Sequence, residues 1–146
     1  MQIEIEIDER CQEPKIIIRT DKMTDEVGEI VKRLSAQQAK AIAGFRDGTV
    51  ELLEPDSLLR VYTSGGKVLA QTEHGAYQLR LRLYELEQRL DRQTFVRISN
   101  AEIVNLKKVK AFDLSLAGTI CVRLADGTVT YVSRRYVARI KQILGI

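Results

Sequence analysis

Two Asp-Gly dipeptides constrain the fold of this chain more than any other feature, because each lies between two short apolar segments. Asp-Gly favours a two-residue type I′ turn, in which both central positions need a positive φ. Each dipeptide therefore predicts a β-hairpin of two antiparallel strands. The predicted strands are residues 42–46 and 49–53 around Asp47-Gly48, and residues 120–124 and 128–132 around Asp126-Gly127.

A third hairpin turn is predicted at Ser64-Gly65-Gly66-Lys67. This stretch has neither the GxxxxGK[ST] spacing nor the following helix of a phosphate-binding loop, so a glycine-rich turn is the better interpretation. Two helices interrupt the strands. The first carries Leu83, Leu86 and Leu90, and the second follows Ser133. The predicted fold class is therefore β-rich α+β, with short antiparallel strands and short helices.

The N-terminal segment has a different pattern. After Gln2, isoleucine and acidic residues alternate strictly as far as Asp8, which predicts a half-buried strand over residues 2–8, and residues 16–19 predict a second strand. Thr24 is the predicted N-cap of a helix whose apolar residues recur at helical spacing. We therefore expect a strand–strand–helix extension over residues 1–40, followed by a domain over residues 41–146.

Charge is unevenly distributed, although the net charge of the 146 residues is only +3. Residues 1–56 hold 8 Lys and Arg against 13 Asp and Glu, whereas residues 97–146 hold 9 against 3. This asymmetry favours a basic working surface near the C-terminus and another role for the acidic segment. No apolar run approaches the roughly 20 residues of a membrane-spanning helix, and the N-terminus lacks a signal-peptide pattern, so we expect a cytoplasmic protein.

The residue types of an enzyme are not arranged for catalysis in this sequence. The single histidine, His74, lies in a predicted turn without nearby cysteines, which argues against a zinc site. The two cysteines, Cys11 and Cys121, lie far apart and form no CxxC motif. We therefore expect no catalytic residues, no metal and no cofactor.

Two polar stretches remain as candidates for binding. Arg134 and Arg135 follow the expected N-cap Ser133, where their charge opposes the helix dipole but could receive an anion or read guanine. An alternative is that both arginines lie on a solvated face. In the stretch from Arg97 to Ala101, Ser99 and Asn100 interrupt apolar residues. Asparagine can bond adenine, but the residues alone favour a turn.

The order of these segments resembles the LytTR family of DNA-binding domains. The resemblance is carried by three stretches and the final hairpin, and it covers about residues 45–146. The stretches are Leu83-Tyr84-Glu85-Leu86-Glu87, Phe95-Val96-Arg97-Ile98-Ser99-Asn100 and Ile103-Val104-Asn105-Leu106, and the hairpin leads into Val132-Ser133-Arg134-Arg135-Tyr136. It implies small packed antiparallel sheets with short helices, whose loops enter successive major grooves of DNA.

The resemblance also implies three DNA-contacting positions. One falls on the stretch from Arg97 to Asn100, best on Asn100 with Ser99 beside it, and one falls on Arg135 with Arg134 adjacent. The third falls on residues 64–67, where Gly66 occupies a position that can carry histidine in the family. Glycine has no side chain to make this contact, so either Ser64 or Lys67 replaces it or the contact is lost.

The resemblance bears on partners as well. Only about 45 residues precede the matching region, which is fewer than a phosphoryl-accepting receiver domain needs. The chain is therefore similar to standalone LytTR regulators, which implies double-stranded DNA and a homodimer on DNA as partners, and a small membrane-bound inhibitory protein as a candidate. Two alternatives are an interaction module whose basic region binds an acidic protein and a single-strand binder. The latter needs exposed aromatic residues, and the chain has only 3 Phe, 5 Tyr and no Trp.

Overall fold

The computed structural model describes residues 1–37 and 41–146, whose contacts divide the chain into two units, Met1–Gln38 and Ala39–Ile146. Among the described residues of the first unit, only Asp25–Gln37 form a regular element, helix α1. The Thr24 hydroxyl accepts the backbone N–H of Val27 at 3.3 Å, which confirms the predicted N-cap.

The two strands predicted in the N-terminal segment are not formed. The structure assigns no strand to residues 1–24, and Ile3, Ile5 and Ile7 are 83–90% exposed. A strand is stabilised by hydrogen bonds to a neighbouring strand, and the described part of this unit supplies none for either segment. The prediction of strands over residues 2–8 and 16–19 is therefore wrong for the structure of this chain.

The described residues of the second unit form ten strands, two α-helices and two short 3-10 helices. The strands are β1 Ile42–Arg46, β2 Thr49–Leu53, β3 Arg60–Ser64, β4 Lys67–Thr72, β5 Gly75–Leu79, β6 Phe95–Ser99, β7 Glu102–Asn105, β8 Val109–Asp113, β9 Ile120–Leu124 and β10 Val129–Val132. The α-helices are α2 Leu83–Arg89 and α3 Arg134–Leu144. None of the helices described in the structure is long and apolar enough to cross a membrane.

These strands form two antiparallel sheets. Seven strands make the larger sheet in the order β2-β1-β5-β4-β3-β7-β6, and three make the smaller sheet in the order β10-β9-β8. Neighbouring strands in both sheets run antiparallel. The predicted fold class of small antiparallel sheets with short helices is confirmed for this unit.

The two Asp-Gly turns differ from each other. Asp47 and Gly48 both have positive φ, 51° and 75°, as a type I′ turn requires. In the turn between β9 and β10 only Gly127 does, and the Gly127 N–H donates to the carbonyl of Leu124 at 3.0 Å. The Asp126 carboxylate accepts the N–H of Thr128 at 2.9 Å, which favours a wider loop that ends in a left-handed glycine. The predicted type I′ geometry is wrong there, and β10 begins one residue later than expected.

The hairpin of β6 and β7 lies between two hydrophobic clusters. Phe95 and Ile103 belong to the cluster that α2 covers, in which Leu83, Leu86 and Leu90 are also buried. Leu90 is the C-cap of α2, so the helix ends one residue before the last of the three leucines predicted for it. Val96, Ile98 and Val104 belong to the other cluster, which the smaller sheet and α3 cover. Both faces of this hairpin are therefore buried, which makes it a firm support for the turn at its end.

Candidate nucleic-acid interface

Three of the segments singled out in the sequence lie side by side at one edge of the second unit. The Thr63 N–H donates to the carbonyl of Ala101 at 2.9 Å and joins β3 to the turn between β6 and β7. The Ser133 N–H donates to the carbonyl of Ile98 at 2.9 Å and joins the start of α3 to β6. We call this surface, formed by residues 64–67, 97–101 and 133–136, the three-loop edge.

Asn100 and Ala101 form the tight turn between β6 and β7, and both are exposed. The pairing of these strands shifts register between Arg97 and Ser99, and such irregularities redirect the side chains beside them. The Ser99 hydroxyl accepts the Ala101 N–H at 3.1 Å, which stabilises the turn. The Oδ1 atom of Asn100 accepts a hydrogen bond from the Tyr136 hydroxyl at 3.1 Å.

Arg97 stabilises the same turn through hydrogen bonds from its guanidinium group. Its Nε donates to the carbonyl of Ser99 at 3.0 Å, and its Nη2 donates to the carbonyl of Asn100 at 2.7 Å. Its Nη1 donates to the Glu87 carboxylate of α2 at 2.7 Å. The side chain is only 15% exposed, so its guanidinium is engaged within the protein.

The first turn of α3 presents both arginines to solvent. Ser133 has the extended backbone of an N-cap, but its side chain makes no capping hydrogen bond, so the predicted cap is confirmed in position and not in side-chain contact. Arg134 and Arg135 are exposed, and neither pairs with a carboxylate among the described residues. Two exposed cations at a helix N-terminus form a surface that favours an anion.

The turn between β3 and β4 completes the edge. Ser64 and Lys67 face each other as the last strand pair, and Gly65 and Gly66 follow the predicted turn with φ of 58° and 76°. Both Ser64 and Lys67 are exposed. The chain therefore presents a hydroxyl and an ammonium group on either side of the glycine position.

Neither Tyr136 nor Arg139 is among the contact positions predicted from the sequence. Tyr136 follows the two arginines in α3, and nothing in the sequence indicates that its hydroxyl reaches a turn 36 residues earlier. Arg139 lies four residues after Arg135 and lines a groove of 260 Å³ with Tyr84 and Arg92. Helical spacing puts Arg135 and Arg139 on one face of α3, and this signal was available in the sequence.

The described residues contain no cluster of three or more His, Cys, Asp or Glu side chains able to hold a metal ion. The functional groups of the three-loop edge are instead amide, hydroxyl and cationic. Such groups are typical of surfaces that contact phosphates and the edges of bases.

Comparison with known proteins identifies relatives of the whole chain. An HTH-type transcriptional regulator of Staphylococcus aureus strain MSSA476, itself uncharacterised, is 33% identical over 147 residues, which cover 100% of this chain and 99% of that protein. A protein of the same description from strain MRSA252 is 32% identical over the same shares. In the second unit of this chain, α2 and α3 are separated by five strands, so they do not form a helix–turn–helix.

The fold also has a counterpart among solved structures. The LytTr DNA-binding domain of a Bacillus cereus protein superposes with a TM-score of 0.71 at 19% identity, and the match covers 73% of this chain and 98% of that domain. The family model of the LytTr DNA-binding domain matches residues 48–145. By this match and by its full-length relatives, the chain belongs to the LytTR DNA-binding domain family.

Proposed function

We propose that this protein is a transcription regulator that binds double-stranded DNA sequence-specifically through the three-loop edge. The observation that carries the proposal is the convergence of three separate chain segments, tied by the hydrogen bonds of Thr63 to Ala101 and of Ser133 to Ile98. Loops held on a rigid scaffold are suited to recognition, because their side chains are ordered before binding. The family membership supports the same function and argues for a regulator that is not an enzyme.

The exposed side chains of the edge are assigned different roles. Asn100 reads adenine with its amide, and Arg135 reads guanine with its planar guanidinium. Arg134 contacts phosphate, and Lys67 with Ser64 contacts the adjoining DNA segment in place of a side chain at Gly66. Arg97 and Ser99 shape the turn that presents Asn100, because their polar atoms already bond the backbone of that turn.

The proposal extends to assembly and location. Residues 41–146 act as the DNA-binding domain, and residues 1–40 act as an extension that contributes to a homodimer on DNA. The exposure of Ile3, Ile5 and Ile7 on a strand-like pattern supports a role for this extension in association. A DNA regulator of this kind acts in the cytoplasm, and a small membrane-bound inhibitory protein stays a prediction from the family resemblance.

The first test is binding to random duplex DNA and to single strands over a series of salt concentrations. We expect the logarithm of the binding constant for duplex DNA to fall linearly with the logarithm of the salt concentration. The reason is that Lys and Arg side chains of the protein release counterions from the phosphates they contact. Selection from a random duplex pool should then yield a recurrent sequence. A chain that binds an acidic protein but no duplex would favour an interaction module, and a preference for single strands would also contradict the proposal.

A further inference from the structure

We propose that Tyr136 is a positioning residue for base recognition, whose hydroxyl sets the direction of the Asn100 amide. This inference rests on the proposed function, in which Asn100 reads a base. The hydroxyl of Tyr136 donates to Oδ1 of Asn100 at 3.1 Å, from the first turn of α3 to the turn between β6 and β7.

The two partners differ in how firmly they are held. Asn100 is exposed at the tip of a two-residue turn, where an amide side chain would otherwise sample several rotamers. Tyr136 is half-buried, and its ring packs against the hydrophobic cluster beneath α3. The hydroxyl is thus held in place by its packed ring, and its hydrogen bond restricts the rotamers of the Asn100 side chain in the protein without DNA. Restricting a side chain in its bound conformation lowers the entropy cost of binding.

The hydrogen bond leaves the amide able to read adenine. The oxygen of an asparagine amide has two lone pairs, and its nitrogen carries two hydrogens. Tyr136 occupies one lone pair, so the other can accept from adenine N6 while Nδ2 donates to N7. With Oδ1 toward the hydroxyl, as in the structure, the amide offers the groove its second oxygen lone pair and its Nδ2 hydrogens.

The same contact links two recognition elements. Tyr136 directly follows Arg135 in α3, and its hydroxyl reaches the turn that carries Asn100. The Ser133 N–H reaches the carbonyl of Ile98 two residues before Asn100 at 2.9 Å. One backbone and one side-chain hydrogen bond thus tie the start of α3 to the turn that carries Asn100, and Tyr136→Phe removes the second while it keeps the ring.

The test is a double-mutant cycle with Tyr136→Phe and Asn100→Ala, measured on the selected duplex and on a scrambled duplex. Tyr136→Phe keeps the packed ring and removes only the hydroxyl. We expect about a twofold to tenfold loss of affinity for the selected duplex, the range of a single hydrogen bond, and no change for the scrambled duplex. In the Asn100→Ala background we expect Tyr136→Phe to have no further effect, because the amide it positions is absent.

Tyr84→Phe is the matched control, since Tyr84 is exposed on α2 and its hydroxyl makes no hydrogen bond among the described residues. Thermal unfolding of each variant accompanies the titrations, so that affinities refer to folded protein. A merely structural hydroxyl would weaken both duplexes alike, or would weaken binding equally with and without Asn100, and either result overturns the inference. If Tyr136→Phe binds the selected duplex as tightly as the parent while Asn100→Ala binds it more weakly, the inference about Tyr136 is overturned and the proposed base contact stands. If Asn100→Ala itself binds as tightly as the parent, the proposed base contact is overturned as well.

Discussion

Nη1 of Arg97 lies 2.7 Å from the carboxylate of Glu87, so that an arginine of β6 is paired with a glutamate of α2. The two remaining nitrogens of the same guanidinium bond the carbonyls of Ser99 and Asn100. A helix, a strand and the exposed turn are thus held by one side chain. This arrangement uses the planar fork of arginine, and an ammonium group has no equivalent geometry.

Arg97→Lys separates the two roles that the sequence and the structure suggest for this residue. If Arg97 holds the turn, lysine leaves two carbonyls without their partners, and we expect weaker specific binding together with a loss of about 1 kcal/mol in the free energy of unfolding. If Arg97 instead contacts phosphate through its positive charge, lysine keeps that charge, and both the specific binding and the free energy of unfolding stay unchanged. Titration of the selected duplex and chemical denaturation of the two proteins decide between the roles.

Substitutions of the two arginines at the start of α3 should have different effects on DNA binding. Arg135→Ala should relax sequence preference, because the forked contact to guanine is absent. Arg134→Ala should weaken all duplexes alike and lower the salt slope by about one unit, as the loss of a phosphate contact does. Neither change should destabilise α3, since removing a positive charge from its first turn relieves a small conflict with the helix dipole.

Each arginine variant is titrated against the selected and scrambled duplexes at two salt concentrations, and each serves as the control for the other. Undiminished discrimination by Arg135→Ala would contradict the assignment. The reversed pattern would transfer base reading to Arg134.

Asn105 and Asn100 lie on the same hairpin, yet only the first should matter for stability. Asn105 is fully buried, its Nδ2 donates to the carbonyl of Leu58 at 2.8 Å, and its Oδ1 accepts the N–H of Lys107 at 3.0 Å. Asn105→Ala should lower the free energy of unfolding by about 1–3 kcal/mol, because a buried carbonyl loses its donor. Asn100→Ala, at an exposed turn, should change it by less than about 0.5 kcal/mol. Equal effects in chemical denaturation would contradict this division.

Local patterns predicted the second unit well. The dipeptide Asp47-Gly48, the glycines at 65 and 66 and the leucine spacing of α2 each specify a backbone conformation through neighbouring residues alone. The turn after Asp126 was mispredicted, because its own carboxylate stabilises a competing loop through the N–H of Thr128. The boundaries of elements therefore depend on side-chain contacts that a two-residue pattern does not contain.

Long-range relationships explain the other differences. The alternating isoleucines of residues 2–8 indicate a strand, but a strand also needs a partner, and sequence pattern does not say whether one exists. In the candidate site, the family resemblance predicts Asn100 and Arg135 as separate contact positions. The contact of Tyr136 with Asn100 and the internal bonding of Arg97 depend on how β6, α2 and α3 pack, which no local spacing reveals.

The N-terminal extension should matter for paired half-sites and not for a single one. Deleting residues 1–38 should preserve contact with one half-site and weaken binding to two half-sites about one helical turn apart. The reason is that a second half-site raises the affinity only when two linked protomers bind both sites at once. A full-length protein with Ile3→Ser, Ile5→Ser and Ile7→Ser should behave like the deletion if these exposed side chains pair the protomers. Full-length protein with Glu4→Gln and Glu6→Gln is the matched control. Unchanged affinity of the truncated protein for paired sites would exclude this role.

Specific recognition of duplex DNA by Asn100 is tested most directly by one comparison. Parent protein and Asn100→Ala are titrated by fluorescence anisotropy against the selected duplex and a scrambled duplex of equal length at one fixed salt concentration. The parent should prefer the selected duplex by about a thousandfold or more, and Asn100→Ala should lose about 1–3 kcal/mol of that preference while its affinity for the scrambled duplex and its stability stay unchanged. Equal affinity of the parent for the two duplexes would contradict the account, as would an Asn100→Ala variant that discriminates as well as the parent.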